Sequence, residues 1–147
     1  MLNNFNEKLQ SVLQDSEAWE ILGGIGGWFD GACLILACAL QRSFGIGRIV
    51  VITRDIDERL PGSGDHAALS ISLADHQYFV DANGLQTLDE LIRSFQSDLP
   101  TQYTGHILIE PADLFAMEQA GVFAPEQQVQ QLAEFLTNQL PAALTAT

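Results

Sequence analysis

Cys33, His66 and Asp81 are three residue types that do nucleophilic chemistry when they meet. Sulfur attacks as its thiolate. An imidazole takes the thiol proton or holds the thiolate as imidazolium, and a carboxylate fixes the ring's tautomer. Each residue also has a plainer reading on its own. Cys33 suits a core as a small hydrophobe, His66 suits a strand edge, and Asp81 before Ala82-Asn83-Gly84 suits a turn. The chemistry therefore depends on whether the fold brings the three together.

The cysteine follows a glycine-rich approach, Gly23-Gly-Ile-Gly-Gly27, and the stretch Trp28-Phe29-Asp30. Asp30 is a favourable N-cap, which predicts a helix from Gly31 to about Phe44, stopped by Gly45-Ile-Gly47. This helix is apolar on every side and is expected to be buried. A thiol in its first turn would sit among unpaired backbone N–H groups at the positive end of the helix dipole, which favours thiolate. Trp28, Phe29 and Asp30 are the expected substrate contacts, although the two rings read equally well as core. The Trp28 indole N–H is a candidate oxyanion donor beside the Cys33 amide.

His66–Leu73 alternates in polarity and predicts a strand, with Leu69, Ile71 and Leu73 on one face. Ala74–His76 is the expected hairpin turn and Gln77–Asp81 the return strand, followed by a turn at Asn83-Gly84. That register alone would bring His66 near Asp81 or Asn83. Nothing in the spacing places the helix start against the same end of the sheet.

The remaining elements form the frame. Residues 4–21 read as a helix buried through Phe5, Leu9, Leu13 and Trp19, and Arg48–Thr53 as a buried strand. Asp55–Asp65 has loop composition and is a candidate lid beside His66. Thr87-Leu-Asp-Glu90 is a capping box that opens a helix to about Ser97. Tyr103–Ile109 reads as an edge strand, and Pro111–Ala120 as a short helix with proline in its first turn. Pro125–Leu140 reads as an amphipathic helix, and residues 142–147 as frayed. The fold class expected is α+β, one domain over 1–147, with a core at about 23–110 and C-terminal helices over 111–140.

Composition narrows the partners. The chain has 19 acidic and 6 basic residues and a net charge of −13. That argues against nucleic acid, which needs a basic footprint, and against anionic membrane surfaces. No apolar run reaches the ~20 residues of a membrane span. The first residues lack the pattern of a secretory signal, so the expected location is cytoplasmic. The two cysteines lie on one helix and point roughly 140° apart, so no disulfide is expected and the thiols suit a reducing compartment. Cys38 reads as core, His76 as solvated and His106 as structural. Asp65, His66, His76 and Asp81 match no metal-ligand spacing, so neither metal nor cofactor is expected.

Gly31-Ala-Cys33 with Leu36, Ala37 and Leu40, then Asp65-His66-Ala-Ala-Leu69, then Tyr78-Phe-Val-Asp81-Ala-Asn-Gly84, resembles the papain-like and transglutaminase-like cysteine fold, more closely its small bacterial and phage members. The likeness covers about residues 27–87. It implies a buried Cys-bearing helix on a small antiparallel sheet, with Cys33 as nucleophile, His66 as general base and Asp81 as its orienting partner. The glutamine that the papain branch often places before its cysteine is missing between Gly23 and Cys33. Two functions follow. One is a thiol-dependent hydrolase or acyltransferase acting on an amide, ester or thioester of a small molecule or peptide. The other is an inactive papain-like fold serving as an acidic adaptor or immunity-type module for a basic protein partner. A third, weaker possibility is homo-oligomer assembly through the last helix. The oligomeric state is open.

Overall fold

The computed structural model describes residues 2–29, 31–55, 62–97, 99 and 105–140, with Leu2 and Asn3 as backbone only. Among them are six helices and five strands: α1 Leu2–Leu13, α2 Ser16–Leu22, α3 Cys33–Phe44, β1 Arg48–Arg54, β2 His66–Leu73, β3 His76–Asp81, β4 Gly84–Gln86, α4 Leu88–Ser97, β5 Ile107–Pro111, α5 Leu114–Gln119 and α6 Glu126–Gln139. The strands form one antiparallel sheet in the order β4-β3-β2-β1-β5, so the class is α+β.

The sheet is covered on both faces. Leu69, Ile71 and Val80 join the core made with α1, α2, α3 and α6. Ile52 and Phe79 on the other face pack against Leu91 and Phe95 of α4. His66–Leu69 is therefore buried at every position, where alternation alone would expose every second residue. α3 lies in the interior with Cys33–Ala37, Ala39 and Leu40 buried, as its all-round apolar sequence requires.

Several boundaries differ from the sequence reading. Asp15 accepts a hydrogen bond from the Glu17 N–H and starts a second helix, so residues 4–21 are two helices. Trp19 is then more than a third exposed, while Val12, Ala18 and Leu22 are buried. α3 begins at Cys33, two residues later than expected, with Ala32 at its cap and no side-chain cap bond. Asp30, the expected cap, lies outside the described residues, as do positions 56–61 of the expected lid, Tyr103 and the tail 142–147. Pro111 does not open a helix. It ends the edge strand β5 opposite Val50, a position where its missing N–H costs nothing, and Asp113 caps α5. β4 stands where only a turn was expected.

Candidate active site

Hairpin register builds the first half of the site. Leu69 pairs with Val80, so His66 and Asp81 project from one face as diagonal neighbours. The turn between the strands is two residues long, Ala74-Asp75, both at positive φ, the geometry that keeps a tight hairpin in register. His66 Nε2 lies 2.8 Å from Asp81 Oδ2, and both side chains are nearly sealed from solvent.

Packing supplies the second half. α3 lies across β2 with its first residue at the end where β2 starts, and the Cys33 sulfur sits beside the His66 ring, close enough to feel its charge. Asp81 occupies Nε2, which leaves the other ring nitrogen for sulfur. The backbone N–H groups of Ala67 and Leu34 also favour its thiolate. Leu34 belongs to the first turn of α3, whose amides have no partner within the helix.

The electrostatics follow from these contacts. Burial alone would raise the thiol pKa. The hydrogen bond and charge of His66, with the Ala67 and Leu34 amides, bring Cys33 below its ordinary value. Burial alone would lower the His66 pKa. The Asp81 carboxylate and the Cys33 sulfur outweigh it and raise His66 to about 9. These contacts shift Cys33 toward thiolate and keep His66 an imidazolium near neutral pH. Cys38 shows the contrast: burial, with Arg42 opposing weakly, raises it to about 11.

Asp81 is anchored by more than the histidine. Its Oδ1 accepts the Asn83 N–H at 2.8 Å and the Gln86 side-chain N–H at 2.7 Å. Gln86 is buried, pairs with Phe79, and so shares the face of His66 and Asp81. Sequence reasoning missed it. The available signal was a polar residue two positions after Asn83-Gly84, where a short return strand would put it beside Asp81. Gln86 is held in turn through β4: the Asn6 side chain accepts from the Leu85 N–H at 2.7 Å and donates to the Leu85 carbonyl at 3.3 Å.

The other expected contacts separate. Phe29 is half-exposed and its ring stacks on His66, centroids 5.8 Å apart and 24° between planes. Trp28 is in the core against Trp19, and its indole N–H donates to the Leu13 carbonyl at 3.0 Å. It is neither a substrate contact nor a free oxyanion donor. Asp30 lies outside the described residues. His76 is exposed at the hairpin and packs edge-on to Tyr78, and His106 is exposed before β5. Among the described residues no three His, Cys, Asp or Glu side chains come together as metal ligands, and no helix is long and apolar enough to cross a membrane.

A cavity of about 190 Å³ is walled in part by His66 and Asp81, and Cys33 is not among its described lining residues. Among the described residues Phe29, Leu91, Phe95 and Leu99 supply its apolar wall, and Arg54, Asp65 and Ser94 also line it. No protein-family model, curated protein or solved structure matches the chain.

Proposed function

We propose that the protein is a thiol-dependent acyl-transfer enzyme, a hydrolase or acyltransferase acting on an amide, ester or thioester, with a papain-like or transglutaminase-like fold. The observation that carries this reading is the buried His66–Asp81 hydrogen bond with the Cys33 sulfur beside the same ring. The Cys33 thiolate attacks the carbonyl carbon, a C–S bond forms, and the carbonyl oxygen becomes an oxyanion. Amides at the start of α3 are the donors this chain offers to that oxyanion. Collapse breaks the bond to the leaving atom, which takes the proton held by His66. Water or an acceptor amine then attacks the thioester and gives its proton to His66, and Cys33 departs as thiolate. Asp81 remains ionised and keeps the ring oriented.

Cys33 is only 8% exposed, which favours a second reading, an acidic binding module that has kept the fold without turnover. p-Nitrophenyl acetate separates the two. The enzyme reading predicts a burst of about one nitrophenolate per chain and an acetyl group on Cys33, both lost in Cys33→Ala. Slow, burst-free release with acetyl groups scattered over lysines supports the module.

A further inference from the structure

The cavity beside His66 has a composition that the triad does not explain. Its ionisable walls already have partners: Arg54 Nε is 3.0 Å from Asp65 Oδ2, and His66 is bonded to Asp81. Ser94 accepts from the Asn83 side chain at 3.1 Å. Among the described residues the wall asks for no counter-charge, and what they leave is the apolar surface of Phe29, Leu91, Phe95 and Leu99. A volume of about 190 Å³ suits one ring or branched chain, since a dry apolar cavity of about 150 Å³ is enough to bind benzene.

Position assigns the cavity to one end of the substrate. Cys33 packs with Val51 and Ala67 on the α3 side of the sheet, whereas the cavity is lined by His66, Asp81 and residues of α4 on the other side. The acyl carbon must bond to sulfur, while the leaving atom must face the imidazole to take its proton. Its substituent then extends past the ring, under Phe29, toward the cavity. Resting on the acyl-transfer reading above, we infer that this cavity receives an aromatic or branched aliphatic substituent of the leaving group. The preferred substrates are then amides or esters of amines or alcohols bearing such a group. In turnover the C–N or C–O bond breaks, the proton from His66 goes to the departing nitrogen or oxygen, and the substituent leaves from the cavity.

The probe is N-benzylacetamide, compared with N-methylacetamide. Binding is followed by backbone amide NMR in full-length Cys33→Ala, which cannot consume it. The expected result is saturable shifts centred on Leu91, Ser94 and Phe95, with about tenfold or more weaker binding of the methyl compound. Ser94→Leu, which fills the cavity, should abolish the shifts, and so should Leu99→Trp, which narrows it from another side without touching the Asn83 bond. Equal binding of the two amides, shifts elsewhere, or unchanged binding in folded filled variants would overturn the assignment. Acetylation of Cys33 by p-nitrophenyl acetate without the benzyl-specific shifts would overturn the cavity assignment alone. The shifts in a protein whose Cys33 takes no acetyl group would overturn the acyl-transfer reading, and the leaving-group role with it.

Discussion

Gln86 holds a buried carboxylate oxygen that has one other donor, the Asn83 N–H. Gln86→Ala leaves that oxygen short of a partner and should cost about 1–3 kcal/mol of unfolding free energy, read by urea denaturation. Unchanged stability would mean that solvent replaces the amide. The ion pair makes a second prediction, in pH. His66 titrates near 9 when folded, above its ordinary 6.5. Its contribution is complete below 6.5 and is lost as pH rises through the folded value. Cys33 has the opposite sign. Its folded pKa is lowered, so its contribution is present above its ordinary 9.0 and is lost as pH falls through the folded value. Below pH 9 the two slopes oppose each other in the intact protein. Cys33→Ala removes the sulfur while Asp81 still raises His66. Unfolding free energy of that variant should fall as pH rises from 6.5 through its folded His66 value, which lies below 9 without the sulfur, and more steeply than in the intact chain. A flat profile in the variant would show that the imidazolium is not stabilised in the fold, and matching slopes that the sulfur makes no opposing contribution.

At the scale of elements, the site rests on β4 and on the entry to β2. The Asn6 amide bonds both backbone groups of Leu85, so α1 stands where another strand would pair with the edge. Asn6→Ala should lower stability by roughly 1–3 kcal/mol and speed hydrogen exchange at Leu85, whose N–H loses its acceptor. Unaltered exchange there would remove α1 from the support of the site. Gly64 enters β2 at φ +56, and a Cβ there would lie 2.3 Å from the Val51 Cβ. Gly64→Ala should therefore destabilise by about 1–3 kcal/mol and shift the backbone that leads into His66. The hairpin was legible because polarity alternation and a short turn fix which residues face each other. The His66–Asp81 contact follows from that register. The start of α3 was misjudged because Asp30 has a cap's chemistry, whereas the helix turns in at Ala32 with no side-chain cap. β4 was overlooked because three residues are too few to show alternation.

At the scale of the molecule, the sheet lies between α4 on one face and α3 with its neighbours on the other. This burial on both faces is what closes His66 and Asp81 off from water. Sequence carried the α+β class and the apolar nature of α3. It did not carry the docking of α3's first turn at the start of β2, because helix-on-sheet placement is set by contacts far apart in the chain, such as those of α3 with α6. Trp28 illustrates the same limit: its neighbours in sequence suggested a site, while its contacts with Leu13 and Trp19 belong to the core. The net charge of −13 opposes compaction by self-repulsion. Raising salt from about 10 mM to about 150 mM shortens the screening length from about 30 to about 8 Å, and the urea midpoint should rise. A fall would mean that pairs such as Arg42–Glu126 and Arg54–Asp65 outweigh the repulsion.

The central claim is that Cys33 is held as a thiolate by His66, and the relative alkylation rate of the two cysteines tests it most directly. With iodoacetamide at about pH 6, peptide mass spectrometry should find Cys33 labelled at least about a hundredfold faster than Cys38, because only the thiolate reacts and burial raises Cys38 to about 11. His66→Ala should remove most of that advantage. Equal, slow labelling of Cys33 and Cys38 in the native protein would contradict the account.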